Sequence, residues 1–251
     1  MNAYLALADA YDRFTGDVDY RRWLRWYQKW FRQQRPGIHT VVDLGCGTGT
    51  LTAMLAQAGY QVIGVDASVD MLAQAMDKIA DLDCSVQPLL LCQRMEKLHL
   101  RQQVDAVVCS LDCVNYITRL PSLRSAFRRV AESLRPGGLF LFDIIPAWEF
   151  ARRDGEVFVD EDEGALCLWR GDWDARRSLL TYGLDLFQSA DGVHWTREQE
   201  EHIERGWPLE TLEKLLTEDG LSLLSCTGES GEAPCMADSR VFYVWKKENQ
   251  E

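Results

Sequence analysis

The stretch at residues 41–50 constrains the fold of this chain more than any other. Val41, Val42 and Leu44 read as the end of a buried strand. Asp43 opens the pattern Asp43-x-Gly45-x-Gly47-x-Gly49, and residues 51–56 continue as a helical run. Glycine lets the backbone turn tightly and approach a ligand closely because it has no Cβ. The helix behind such a loop points its free N–H groups and positive dipole end at whatever lies over the loop. The next strand ends Val62-Ile63-Gly64-Val65-Asp66, so Asp66 falls 21 residues after Gly45. A carboxylate at that strand tip can accept from both hydroxyls of a ribose. The alternating glycines differ from the G-x-G-x-x-G of dinucleotide folds, which argues against a nicotinamide oxidoreductase.

Around this stretch, the pattern from residue 38 to 145 alternates strand and helix. Strands are expected at 40–44, 61–65, 85–91, 104–110 and 138–144, and helices at 49–58, 69–80 and 121–134. Strands separated by helical runs imply a parallel sheet whose ligands sit beyond the carboxyl ends of the strands. Before it, residues 20–34 read as a helix with Trp23, Trp26, Tyr27, Trp30 and Phe31 in one aromatic stripe. Arg21, Arg22, Arg25, Lys29 and Arg32 occupy its other faces. Packing of the stripe on the domain is the favoured reading, although a basic aromatic helix can also meet RNA or a membrane.

From 156 to 205 the pattern changes to short alternating stretches, with Asp191-Gly192 as a hairpin turn. These imply a small inserted antiparallel sheet. A helix from 208 to 219 follows, with Pro208 at its start and Gly220 past its end. Strands at 221–226 and 240–245 finish the chain. The expected architecture is α/β: a Rossmann-like, seven-stranded, mostly parallel sheet with helices on both faces, plus the inserted antiparallel sheet. The units are residues 1–37, an N-terminal helical lid segment; 38–150, the cofactor-binding core; 151–206, the inserted sheet on the substrate side; and 207–251, the helix and strands that complete the core.

Composition prunes the options. The 251 residues carry 47% hydrophobic side chains, enough for a proper core. No run of 18 apolar residues and no signal-type leader is read, so the expectation is a cytoplasmic protein without membrane contact. The eight cysteines form no C-x-x-C pair, so no metal site is expected and the thiols are read as reduced. The net charge of −12 lies wholly in residues 151–251, which argues against nucleic acid on that half and mildly favours a neutral or cationic small substrate.

The glycine pattern, Asp66 and the turn Leu134-Arg135-Pro136-Gly137-Gly138 together resemble the class I, Rossmann-like S-adenosylmethionine (SAM) dependent methyltransferases. Ala8-Asp9-Ala10-Tyr11-Asp12-Arg13-Phe14, residues 17–23, the loop from Asp112 to Tyr116 and the insertion are similar to the bacterial small-molecule branch. The resemblance implies SAM as donor and S-adenosylhomocysteine as product. It places Gly45, Cys46 and Gly47 at the methionine end, Asp66 at the ribose and Met71 beneath the adenine, with Asp43, Gly49 and Ala67 also at the cofactor. Arg94 stands where the family commonly has an acid, so adenine recognition would fall to the backbone of Arg94 and Met95. Leu111 and Asp112 would present backbone to the methionine end, and Tyr11 and Tyr20 would lie near its carboxylate or the methyl group.

Methyl transfer is an in-line displacement that needs reacting atoms held about 3–3.5 Å apart. An oxygen acceptor would also want a base. Asp112, His202 and Glu149 are the candidate bases, with Tyr11 a further catalytic candidate; Asp112, Asn115 and Tyr116 can face a substrate. The leading expectation is methyl transfer to N or O of a small-molecule acceptor. RNA or protein methylation and a non-catalytic SAM-binding regulator are the alternatives. The oligomeric state is left open.

Overall fold

The structure, a computed structural model, describes residues 12, 18–34, 37–162 and 164–249. Seven strands form one sheet: β1 (Thr40–Leu44), β2 (Gln61–Asp66), β3 (Leu89–Cys92), β4 (Val104–Cys109), β5 (Leu134–Ile144), and, from the end of the chain, β10 (Leu221–Thr227) and β11 (Val241–Lys247). Their order is β10-β11-β5-β4-β1-β2-β3. The strands from β3 to β5 are parallel, and β11 runs antiparallel to both neighbours. Val41 pairs with Val62 on one side and Ala106 on the other, so the glycine loop leaves from the middle of the sheet. This is the expected Rossmann-like fold.

Both faces are covered. Helix α1 (Tyr20–Gln34) lays Trp23, Tyr27 and Phe31 on one face, against Val41, Leu55, Leu141 and Val244. Tyr27 has no exposed surface and Phe31 almost none. Burying each such ring contributes on the order of 2–3 kcal/mol. The basic residues of α1 are exposed. Helix α2 (Thr50–Gln57) lies on the same face, and α3 (Val69–Ala80) follows β2, capped by Ser68, whose Oγ accepts from Met71 N–H. The opposite face carries α4 (Leu120–Ser133), whose Phe127 meets Phe140 and Phe142 of β5. Leu134 pairs with Val104, but Leu139 pairs with Ala106. Pro136, Gly137 and Gly138 form the intervening bulge, with Gly137 at φ 74. The sequence reading had a turn ending before a strand; the ladder instead resumes across it.

After β5, a short helix α5 (Ala147–Arg152) leads into a second, antiparallel sheet of β6 (Val157–Asp162), β7 (Ala165–Asp174), β8 (Leu179–Gln188) and β9 (Thr196–Arg205), in that order. It docks through Leu180, Tyr182, Trp169 and Trp173 on Ile145 and Phe150. Helix α6 (Leu209–Glu218) returns the chain to the core. No helix among the described residues is long and apolar enough to cross a membrane.

Candidate active site

The carboxyl ends of β1, β2 and β4 meet at an open cleft of about 360 Å³. Tyr20, Asp43, Gly45, Cys46, Gly47, Thr48, Ser110 and Leu111 are among the residues lining it. The loop that forms its floor is set by backbone bonds: Gly45 and Cys46 N–H both donate to Val65 C=O, and Gly49 N–H to Cys46 C=O. Gly45 and Gly47 stand at φ 79 and 53, in the left-handed region where a side chain is strained. They differ in surroundings. A Cβ on Gly45 would lie 2.7 Å from Cys113 Sγ, whereas one on Gly47 would meet nothing within 4 Å. Gly45 is therefore required by packing, and Gly47 leaves open a cradle for a ligand.

Asp66 sits at the tip of β2 and reaches back to this loop. Its Oδ2 accepts from Gly47 N–H at 2.9 Å and its Oδ1 from Ser68 N–H at 2.8 Å. Burial raises its carboxyl above the ordinary range, and these amide bonds oppose that rise. Asp43 is buried and held by Thr52 Oγ1 at 2.6 Å; burial lifts its carboxyl to about 6, with Asp66 adding to the rise. Over the loop, Asp12 accepts from Thr48 Oγ1 at 2.6 Å and pairs with Lys78 at 2.7 Å. Among the described residues, those lining the cleft include no Lys or Arg. Such a wall suits a cationic or neutral ligand and offers a pyrophosphate no counter-charge.

The exit of β4 forms the far wall. Leu111 and Asp112 both adopt positive φ, 57 and 53, which is uncommon without glycine and marks a held loop. Asp143 holds it from below, its Oδ2 accepting from Asp112 N–H at 3.0 Å. Arg240 bonds Asp143 and lies 2.7 Å from Asp112 Oδ1. The Asp112 carboxylate is thus tied to a guanidinium. Behind it, Tyr27 and Ser110 share a buried hydroxyl–hydroxyl bond. Cys46, by burial, and Cys113, against Cys109, are held well above the ordinary thiol range and remain thiols.

Of the residues expected at the donor, Tyr20, Asp43, Gly45, Cys46, Gly47 and Leu111 come together in the cleft, with Asp66 on its loop. Gly49 turns into α2 at φ 79, packed on Ala75. Met71 is buried in α3, Arg94 pairs with Glu96, and Met95 packs near Gly45. Ala67 accepts a thiol contact from Cys92. Tyr11 lies outside the described residues. His202 lies in β9, buried, bonded to Tyr116 and Glu200 rather than lining the cleft. Asn115, expected to face a substrate, is wholly buried: its Nδ2 donates to the carbonyls of Ile145 and Arg205, and its Oδ1 accepts from Ile145 N–H. Ser110, Thr48 and Arg240 were not anticipated. Ser110 directly follows β4, a position that gave a usable signal, whereas Arg240, read as opening the last strand, lies just before β11 and gave none.

A family model described as a methyltransferase domain matches residues 41–138. A protein of Geobacillus sp. (strain WCH70) that carries a provisional methyltransferase name is 30% identical over 97% of this chain and 99% of its own length. The chain belongs to the class I SAM-dependent methyltransferases. YqeM of Bacillus subtilis (strain 168), also provisionally named a methyltransferase, is 29% identical to this methyltransferase over 97% of each. A solved SAM-dependent methyltransferase from Clostridium acetobutylicum ATCC 824 is 28% identical, with a TM-score of 0.87 over 99% of this chain and 100% of that one. The sugar N-methyltransferase KedS8 from Streptoalloteichus sp. ATCC 53650 shares the fold at 22% identity and a TM-score of 0.79, covering 95% of this chain and 93% of that one. SAM is the methyltransferase's cofactor, and the cation-tolerant cleft with its open Gly47 cradle fits a sulfonium donor.

Proposed function

We propose that this methyltransferase modifies a nitrogen or oxygen of a small molecule. The observation that carries the reading is the position of the second sheet. The 113–116 turn that follows the far wall of the donor cleft packs against β9, through Asn115 to Arg205 and Tyr116 to His202. Buried polar side chains therefore lie behind the far wall of the donor cleft, where the second sheet covers it, and this cover suits a small acceptor better than a folded macromolecule. Solved neighbours with this fold include methyltransferases named for aminosugars and glycopeptides, which supports the same class.

In this reading, residues 1–37 and 151–206 shape the acceptor side, and residues 38–150 with 207–251 hold the donor. SAM, when bound, supplies a methyl group bonded to a positively charged sulfur. Asp66 grips the ribose, Gly45, Cys46 and Gly47 seat the methionine end, and Met71, Arg94 and Met95 flank the adenine. Leu111 and Asp112 present backbone beside the methyl group, with Asp112 oriented by Arg240. Tyr20 closes the same end. Calorimetric titration with SAM, S-adenosylhomocysteine and NADH tests the donor side, with Asp66→Ala as control. Micromolar binding of the first two, weakened about 10–100-fold in the variant, is expected; binding of NADH alone would refute it. A screen of small amines and alcohols for methyl transfer then tests the acceptor class. The exposed basic face of α1 favours RNA as the second reading, which a strongly salt-dependent RNA affinity would support.

A further inference from the structure

Behind the far wall of the donor cleft, β9 buries a carboxyl group that the fold leaves incompletely bonded. Along β9, side chains alternate between faces, so Glu200, His202 and Glu204 share one face. His202 Nε2 and Glu200 Oε2 lie 2.9 Å apart, and His202 Nδ1 lies 3.3 Å from the Tyr116 hydroxyl. That hydroxyl also bonds the carboxyl of Glu204. Glu204 is 3% exposed, and its Oε2 has no hydrogen-bond partner among the described residues. Buried carboxyl oxygens are ordinarily satisfied, so an orphaned one beside a reaction site points to a missing donor.

The surroundings indicate which donor. Glu204 is acted on by Asp112 from the exit of β4, Arg153 after α5, Arg240 before β11 and Tyr116. Neither guanidinium is free to serve it. Arg240 is bracketed by Asp112 and Asp143, and Arg153 is held by Tyr182 at 2.7 Å and by Glu149 at 3.4 Å. Asp112, Asp143, Glu149 and Glu204 thus meet Arg153 and Arg240, an excess of acid. Trp169, 6.1 Å from the His202 ring and 6.2 Å from Tyr182, adds an aromatic wall of the kind that receives ammonium groups. An anionic acceptor would be repelled here.

We propose that the acceptor is a small amine, bound as its ammonium with an N–H on Glu204 Oε2, and that Glu204 takes the proton that must leave before the nitrogen reacts. This rests on the small-molecule reading above and narrows its N-or-O choice to nitrogen. One N–H bond breaks; the proton goes to the Glu204 carboxylate and the electron pair stays on nitrogen. That pair forms the N–C bond as the S–C pair passes to sulfur, the product leaves as a methylated ammonium, and Glu204 returns one proton to water. Tyr116, which bonds the Glu204 carboxyl, and His202, which bonds Tyr116, are positioning residues. Burial and Asp112 favour a protonated Glu204 in the empty site, with Arg153, Arg240 and Tyr116 opposing. An arriving cation favours the carboxylate, so amine affinity rises with pH.

The test titrates protein saturated with S-adenosylhomocysteine with cyclohexylamine hydrochloride and, separately, cyclohexanol, at pH 6, 7 and 8. The amine remains an ammonium throughout. Wild type is expected to bind the amine at least tenfold more tightly than the alcohol, more tightly at pH 8 than at pH 6. Glu204→Gln is expected to bind S-adenosylhomocysteine like wild type and to melt no lower, yet to lose tenfold or more in amine affinity and its pH dependence. Should that variant not fold, Tyr116→Phe replaces it and is expected to move the rise in amine affinity to higher pH. No amine binding, equal binding of amine and alcohol, or an unchanged affinity and pH profile in the variant overturns the proposal. Failure of S-adenosylhomocysteine itself to bind overturns the reading on which it rests.

Discussion

Replacing Arg240 with methionine should destabilise the protein in a pH-dependent way. Arg240 bridges Asp112 and Asp143, and Asp143 has no exposed surface. Burial lifts the Asp143 carboxyl from 3.8 to about 6; Arg240 opposes this, and Asp112 adds to it. At about 1.36 kcal/mol per tenfold change in ionisation, keeping that carboxylate charged at neutral pH already costs the fold about 3 kcal/mol. The sign follows from linkage. A carboxyl raised on folding has its full stability below 3.8, and the fold loses stability as pH climbs through about 6. Without Arg240 the carboxyl rises further, so the loss continues to higher pH, and Glu204 moves the same way. At pH 5 Asp143 is mostly protonated in both proteins, and the variant should lose only about 1 kcal/mol. At pH 8 it leaves a buried charge without its partner, which costs about 3 kcal/mol or more. Thermal unfolding followed by circular dichroism should therefore show Tm falls of roughly 2–4 °C at pH 5 and roughly 6–12 °C at pH 8. Asp143→Asn in the same chain should recover most of the loss at pH 8. Equal falls at both pH values, or no recovery, would refute the reasoning.

Other consequences follow from the same geometry. Asp66→Ala should weaken SAM about 10–100-fold by calorimetry, the scale of a hydrogen bond to a charged group, and Asp66→Asn less; a change within threefold would remove Asp66 from the ribose. Gly47→Val should fold, with about 1–3 kcal/mol of backbone strain, but bind no SAM, because its side chain occupies the cradle. Gly45→Val should lose more stability than that, since it drives into Cys113 as well; the two melts, compared directly, decide it. Asn115→Ala should cost about 3 kcal/mol by orphaning three buried backbone groups. Hydrogen exchange should then quicken at Ile145 together with β9.

The glycine-loop region was legible almost to the residue. Strand β1 and helix α3 occupy the expected spans because β-branched residues, glycines and a Ser cap all act locally. Strand β3 starts at Leu89 rather than at 85, after Pro88, which has no N–H for the ladder. Helix α5, six residues long, is too short for a helical period to register. The lining of the cleft was legible where it is made of glycines and strand-end acids close in sequence. It was opaque where partners meet only in space. Nothing near Arg240 announces Asp143, 97 residues earlier. The polar loop at Asn115 looked like a substrate wall, and its amide turned out to serve the backbone at Ile145, just past β5, and at Arg205, the last residue of β9. The left-handed backbone at Leu111 and Asp112 also had no glycine to advertise it.

That amide has a consequence for the history of the chain. Ile145, where the path departs from the core, and Arg205, where it comes back, are gripped by one side chain. The intervening excursion begins and ends at a single point, so its two ends are tethered whatever lies between them. The entropy of closing a longer loop grows only logarithmically with its length. The excursion can thus be lengthened, shortened or exchanged between relatives without disturbing the strands beneath, provided the asparagine and its two carbonyls are carried along. In the proposed reading, a recombination experiment with crossover points at 145 and 205 is expected to move acceptor preference while leaving SAM binding unchanged.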